Sequence, residues 1–337
     1  MNRREFIKQA GAAALVAGCA SEGLAGTVRA AMPKMTWANY LRLGNMMWEK
    51  YAACDNLIFE EDAWKRITDR MAERKLNMVV WDLGEGMVFQ SHPELRVKGS
   101  WEPERVQAEV ARLRRMGIVS VPKLNFSAGH DQWLRKWRRY LSTPEYYKVC
   151  REVVADVAAA FDEAPLFHIG MDEETYYIQN VNKFPYVRIR RGDLWWHDFY
   201  FLVDEVERHG MRAWAWGDPW WHNVEEFPKR MQKRVLLSNW WYGAELDYTK
   251  IKKSRQNEVK AYAEFEKLGY DQIPCGSTYE SDVNFGRTVE YCRGCIAPER
   301  LHGFLMASWS GPSVKARLEK QLKAVDIVGD EIDKWNV

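Results

Sequence analysis

The chain has 337 residues, 47% of them hydrophobic and 28% charged, a globular composition that excludes disorder and fibrous structure. Its length favours either two domains or one large barrel. Lys+Arg number 49 against 47 Asp+Glu, which leaves no broad basic face and excludes nucleic acid as a partner, while 17 Trp, 15 Tyr and 13 Phe exceed what one core needs and point to a cleft with stacking faces for sugars or bases.

Residues 2–8 read Asn-Arg-Arg-Glu-Phe-Ile-Lys, and an apolar run from Ala10 to Ala20 follows. That run is too short to span a bilayer. A charged head, a short apolar segment and small residues afterwards form an export peptide, so residues 1–30 are expected to be a signal and residues 35–337 the folded domain. Arg3-Arg4 followed by Phe6 and Lys8 resembles the twin-arginine signal, which implies an export receptor as partner and a periplasmic or envelope location. Val16-Ala17-Gly18-Cys19 resembles a lipoprotein processing box with Cys19 as the acylated residue. Cleavage after Val28-Arg29-Ala30 is the competing reading.

The six cysteines stand at 19, 54, 150, 275, 292 and 295. Without Cys19 an odd number remains, unsuited to a full disulfide framework. Cys292-Arg-Gly-Cys295 has knuckle spacing but lacks a second pair for zinc. The pair is read as structural, with a disulfide as one option in an oxidising compartment. No HExxH is present, and neither a metal nor a cofactor is expected.

From Tyr40 onward, helical periods alternate with short apolar runs. Val106, Val110, Leu113 and Met116 precede Gly117; Leu202, Val203 and Val206 precede Gly210; Val259, Tyr262, Phe265 and Leu268 precede Gly269. Each glycine sits where a helix ends in a left-handed turn, with a strand straight after. Strands are expected at residues 40–46, 77–81, 118–124, 166–170, 212–216, 235–239, 270–274 and 304–307. Eight strands with intervening helices demand parallel pairing and predict an α/β fold, a single (β/α)8 TIM barrel. A doubly wound sheet would carry a glycine-rich phosphate turn after its first strand, and Arg42-Leu43-Gly44-Asn45 is not one.

Barrel enzymes place their chemistry at the carboxyl ends of the strands. Those ends read Trp81-Asp82-Leu83-Gly84-Glu85, then Lys123-Leu124-Asn125 with Gly129-His130, then His168-Ile169-Gly170-Met171-Asp172-Glu173-Glu174. Trp216-Gly217-Asp218, Trp240-Trp241-Tyr242 and Ser308-Trp309-Ser310 follow. Within a strand, adjacent side chains face opposite ways, so Asp172 and Glu173 can share a pocket only where the strand has given way to a loop. Two such carboxylates would raise one another's proton affinity and leave an acid near neutral pH. The competing reading is a solvated acidic loop, since Glu174 continues the run.

His168-x-Gly170-x-Asp172-Glu173 on a fourth strand resembles the signature of glycoside hydrolase family 20, the β-N-acetylhexosaminidases. Lys75-Leu76-Asn77 through Trp81-Asp82-Leu83, with His92-Pro93-Glu94-Leu95, is similar to that family's second-strand region, and Val121-Pro122 through Gly129-His130 to its third. The resemblance covers most of residues 70–310. It implies an exported hydrolase of an N-acetylhexosamine-containing glycan in which the substrate's own acetamido oxygen attacks the anomeric carbon. Glu173 would protonate the leaving oxygen, and Asp172 would hold the acetamido N–H. Tyr242 would donate to the acetamido oxygen. Trp216, Trp241 and Trp309 would enclose the sugar, His130 would orient the acid, and Asp82, Glu85 and Asp218 would complete the binding site.

The chain also departs from that family. An acid usually stands where Lys123 and Asn125 are, a His-Leu-x-Asp where Asp82-Leu83-Gly84-Glu85 is, and an acid where Ser310-Gly311 follows the last Trp. The family's first-strand Arg aligns loosely with Arg42. This pattern keeps two alternatives open: a barrel that binds glycans without cleaving them, and a hydrolase of a sugar lacking the 2-acetamido group.

Overall fold

The computed structural model describes residues 30–45, 55–181, 184, 186–309 and 315–336. Residues 1–29 of the expected signal, with Arg3, Arg4 and Cys19, lie outside the described residues, as do Cys54, Ser310 and Gly311.

Eight strands are present: β1 (Thr36–Arg42), β2 (Met78–Asp82), β3 (Val119–Lys123), β4 (Leu166–Gly170), β5 (Arg212–Trp216), β6 (Leu236–Ser238), β7 (Cys275–Gly276) and β8 (Gly303–Met306). They pair in the order β6-β5-β4-β3-β2-β1-β8-β7, all in parallel. The open ends meet through parallel bridges Leu237–Gln272 and Trp240–Cys275, and the Cys275 N–H donates to Asn239 O at 2.8 Å. The ring is thereby closed as a (β/α)8 barrel. The main outer helices are α1 (Glu61–Glu73), α2 (Pro103–Arg115), α3 (Pro144–Ala160), α4 (Tyr176–Val181), α5 (Asp193–Arg208), α6 (Gln256–Lys267), α7 (Asn284–Cys295) and α8 (Lys315–Trp335). Gly117, Gly210 and Gly269 follow α2, α5 and α6 with φ of +79°, +75° and +74°, the left-handed turns read from the sequence.

Strand alternation sorts the side chains. Ala38, Tyr40, Met78, Val80, Val121, Leu166, Trp214 and Trp216 fill the barrel interior, while Trp37, Leu41, Val79, Trp81, Phe167 and Ile169 pack under the helices. Each Val, Leu, Ile, Phe or Met side chain buried here contributes roughly 1.5–3 kcal/mol. Part of the tryptophan surplus serves this shell: Trp64 meets Trp81 edge-on at 4.7 Å, and Trp101 and Phe161 close around them.

Two strands differ from expectation. β1 begins four residues early, at Thr36 rather than Tyr40, because the polar Asn39 is fully buried and points its amide at the Met71 sulfur. β7 follows the expected segment 270–274 rather than occupying it. Pro274 has no N–H to donate, so ladder pairing with β8 starts at Cys275. Cys292 and Cys295 both lie in α7 as free thiols, so the disulfide option is not realised.

Candidate active site

A cleft of about 790 Å³ opens at the carboxyl ends of the strands. Its floor is a row set by strand register: Arg42 lies beside Asp82, Asp82 beside Lys123, and Lys123 beside His168. The Asp82 carboxylate lies 3.1 Å from Arg42 Nη1 and 3.4 Å from Lys123 Nζ, and it also accepts the Tyr40 hydroxyl. Burial alone would raise the proton affinity of Asp82, but Lys123 and Arg42 overcome it and hold the carboxyl below its usual range. Tyr40, Arg42 and Lys123 as one network with Asp82 were not expected. The signal was there, since Arg42, Asp82 and Lys123 are each the last residue of their strand and Tyr40 shares the parity of Arg42. Glu85 also lines the cleft, and burial raises its proton affinity.

Beneath this row, His168 is fully buried, and burial followed by the Lys123 charge pushes its proton affinity far down. Its neutral ring accepts the Gly170 N–H at Nδ1 (3.0 Å) and supports Trp216 at 4.6 Å between ring centroids.

β4 ends in an unusual backbone. Gly170, Met171 and Glu173 all have positive φ, of +72°, +70° and +48°. For Met171 and Glu173 this conformation costs of order 1 kcal/mol or more each and is concentrated at functional sites. Gly170 is required, because a Cβ there would lie 2.2 Å from Asn125 Oδ1. Asp172 keeps the inward parity of Leu166, His168 and Gly170, and the left-handed turn at Glu173 brings the next side chain to the same cleft. The strand-to-loop switch inferred from the sequence is therefore present.

Asn125 Nδ2 donates to Asp172 Oδ1 at 2.7 Å, and His130 Nε2 lies 3.4 Å from both Asp172 Oδ2 and Glu173 Oε2. Burial alone would lower the proton affinity of His130, but Asp172 and Glu173 outweigh it and raise the imidazole above its usual value. These three residues also present ligand atoms within 4.8 Å of one another, the geometry that a metal ion or a shared proton would use. Asp218 stands behind the cleft rather than in its lining, in an adjoining cavity, where its Oδ2 accepts the Glu173 N–H at 3.0 Å. Burial and the Asp172 carboxylate raise its proton affinity strongly.

Glu174 is not the solvated end of an acidic loop. Its carboxylate is buried against Arg190 at 2.5 Å, and Arg190 also binds Asp198 at 3.0 Å and donates to Phe126 O at 2.7 Å. Of three consecutive acids, two face the cleft and the third is locked into the fold.

Aromatic rings form the far wall. Trp216, Trp309 and Tyr242 follow one another at 6.2 and 6.0 Å, with Tyr40 5.1 Å from Trp309. Trp241 does not join them. It turns outward, donates from Nε1 to Glu245 O at 2.8 Å and carries Arg255 over its ring. Trp240 takes its place, stacked on Tyr242 at 5.0 Å, because residues 238, 240 and 242 share the inward face and 241 has the opposite parity. Burial keeps the Tyr242 phenol protonated far beyond its usual range, and the Glu173 and Asp172 charges act in the same direction.

No family model matches the chain, and no curated protein matches it in sequence. Solved structures do match its fold. The family 20 exo-β-N-acetylglucosaminidase from Vibrio harveyi, in complex with N-acetylglucosamine, is 15% identical over 86% of this chain and 54% of its own, with a TM-score of 0.57. A β-N-acetylhexosaminidase from Bacteroides fragilis is 14% identical over 88% and 66%, at 0.60. The Streptomyces plicatus N-acetyl-β-hexosaminidase is 15% identical over 87% and 64%, at 0.56. The chain thus spans between half and two thirds of these proteins' length, and what it shares with them is the barrel.

Proposed function

We propose that the chain is a glycoside hydrolase that releases N-acetylhexosamine from a glycan by substrate-assisted catalysis. The observation that carries this reading is the delivery of Asp172 and Glu173 to one aromatic-walled cleft, with His130 3.4 Å from each. Glu173 gives its proton to the glycosidic oxygen as the bond to the anomeric carbon breaks, and the acetamido oxygen forms the new bond to that carbon. Asp172, fixed by Asn125, accepts the acetamido N–H and offsets the positive charge of the cyclised intermediate. Tyr242, kept protonated by burial, donates to the acetamido oxygen as charge develops. Glu173, now a carboxylate, takes a proton from the water that opens the ring, which restores the acid. Fold likeness to proteins named as β-N-acetylhexosaminidases supports the substrate class.

The test is hydrolysis of a chromogenic N-acetyl-β-hexosaminide set against its 2-hydroxy counterpart. Cleavage of the acetamido substrate alone is expected. Equal cleavage of both would overturn the participating mechanism. The tied-up floor around Asp82 favours a second reading, a barrel that binds such glycans without cleaving them, which tight binding with no turnover would identify.

We further propose that the chain is exported by the twin-arginine route, from the Arg3-Arg4-x-Phe6-x-Lys8 order. Replacing both arginines by lysine should retain it in the cytoplasm. Membrane release on Cys19→Ser would identify the anchor, whereas cleavage after Ala30 would leave the protein soluble in both forms.

A further inference from the structure

His130 stands on the loop after β3, and Asp172 and Glu173 stand on the loop after β4. Residues 124–130 and 171–174 belong to no strand or helix. Among the described residues, backbone hydrogen bonds join the two loops only as far as Phe126, whose N–H donates to Ile169 O at 3.1 Å. Beyond that point they still pack closely: a Cβ at Gly129 would lie 2.9 Å from the Glu173 carbonyl oxygen. Side chains must therefore set the spacing.

A third segment supplies them. Arg188 and Arg190 lie in the run 187–191, which has no regular secondary structure. Arg188 Nη2 donates to both carboxylate oxygens of Asp131, at 3.2 and 2.9 Å, and Arg190 pairs with Glu174 at 2.5 Å. Asp131 directly follows His130, and Glu174 directly follows Glu173. Each arginine thus grips the chain neighbour of one member of the pair. Two bonds then cross between the loops: Glu174 accepts the Ala128 N–H at 3.0 Å, and Arg190 donates to Phe126 O at 2.7 Å. Gln179 of α4 brackets the Arg188 backbone, accepting its N–H at 2.8 Å and donating to its carbonyl at 2.6 Å.

Such a cluster is a poor source of stability. Asp131 and Asp198 are fully buried and Arg190 nearly so, and desolvation offsets much of the attraction in a buried ion pair. Burial pushes the Asp131 carboxyl up to about 6 even though Arg188 and Arg138 oppose it. What forked, hydrogen-bonded pairs supply is one fixed geometry. The β4 end requires one, because the positive φ at Met171 and Glu173 persists only where the surroundings over-determine it.

We propose that Arg188 and Arg190 are positioning residues, a strap that holds the His130 loop against the Glu173 loop and sets the 3.4 Å separations of His130 from Asp172 and Glu173. Neither arginine lines the cleft. The effect on rate rests on the hydrolase reading, whereas the effect on geometry does not.

Lysine keeps each charge and loses the planar fork, so Arg188→Lys and Arg190→Lys loosen the strap without altering its electrostatics. The His130 imidazole, identified by its loss in His130→Gln, is titrated by NMR in wild type and both variants, beside kcat and KM on an aryl N-acetyl-β-hexosaminide. Asp172 and Glu173 raise the His130 proton affinity against burial and Lys123, so parting the loops should lower its midpoint by about 1 pH unit. The expected loss in kcat is roughly 10- to 100-fold, with KM changed little. Melting curves identify the folded variants, and Arg188→Lys, at the less buried position, carries the test should Arg190→Lys not fold. An unchanged His130 midpoint in the folded variants would overturn the strap whatever the rates, because a cluster serving stability alone would lower only the melting temperature. A lowered midpoint with wild type inactive, or with kcat unchanged, would uphold the strap and defeat the hydrolase reading at Glu173.

Discussion

The carboxyl end of β4 and the floor made by β1, β2 and β3 hold similar kinds of charge, and they use it in opposite ways. On the floor, one carboxylate faces two cations and a phenol, so Asp82 is held ionised and its partners are spoken for. At the end of β4, Asp172 and Glu173 gather around one imidazole, with Asp218 behind them accepting the Glu173 N–H and a left-handed backbone at Glu173. The floor is built for stability. The end of β4 keeps carboxylates close together and partly open, an arrangement that costs folding energy and is useful only if a ligand or a proton completes it.

Five substitutions probe that contrast. Lys123→Met removes one of the two cations facing Asp82 in a buried site and should cost about 3 kcal/mol in denaturant unfolding. Adding Asp82→Asn should deepen the loss, because it leaves the buried Arg42 guanidinium without its carboxylate, and a Lys123→Met protein as stable as wild type would show that the floor is not a structural network. Asp172→Asn should behave in the opposite manner. It should lower kcat by about 10²–10³ on acetamido substrates while leaving the melting temperature nearly unchanged, because the amide oxygen can still accept from Asn125.

Asp218→Asn keeps an acceptor for the Glu173 N–H and removes the ionisable group. An acid with raised proton affinity stays protonated in the folded chain while the unfolded chain ionises from about pH 3.8, so folding stability declines as pH rises above that value. The variant should therefore be more stable than wild type at neutral pH and show a shallower decline. Equal pH dependence in both would mean that Asp218 ionises normally. The smallest effect concerns His130, whose proton affinity is raised above the usual 6.5. Its charged form stabilises the fold fully below that value, and the contribution is lost as pH climbs through the folded-state value. His130→Gln should remove this alkaline loss from the unfolding profile.

Much of the fold was legible because its punctuation is local. Gly117, Gly210 and Gly269 mark helix ends through a backbone requirement, and β4 and β5 fall at the expected residues. β1 and β7 slipped because Asn39 and Pro274 each disturb the local pattern, in one case through a buried polar group and in the other through a missing donor. Asp172, Glu173, His130, Trp216, Tyr242 and Trp309 line one cleft, a grouping that strand-end position alone made legible. Trp241 was placed on the wrong face although the period-two rule, counted back from Tyr242, selects Trp240. The fate of Glu174 could not be read locally, because Arg190 reaches it from sixteen residues downstream. The floor network required aligning three strand ends at once, and register becomes visible only when the barrel is closed.

In the proposed mechanism Glu173 carries the transferable proton. Glu173→Gln preserves the side chain's shape and removes that proton. The decisive measurement is its kcat on an aryl N-acetyl-β-hexosaminide with a poor leaving group, beside wild type at the same pH. The expected result is a loss of roughly 10²–10⁴ with substrate binding retained. A kcat within a few-fold of wild type would contradict the assignment of Glu173 as the acid and with it the catalytic reading of the β4 end.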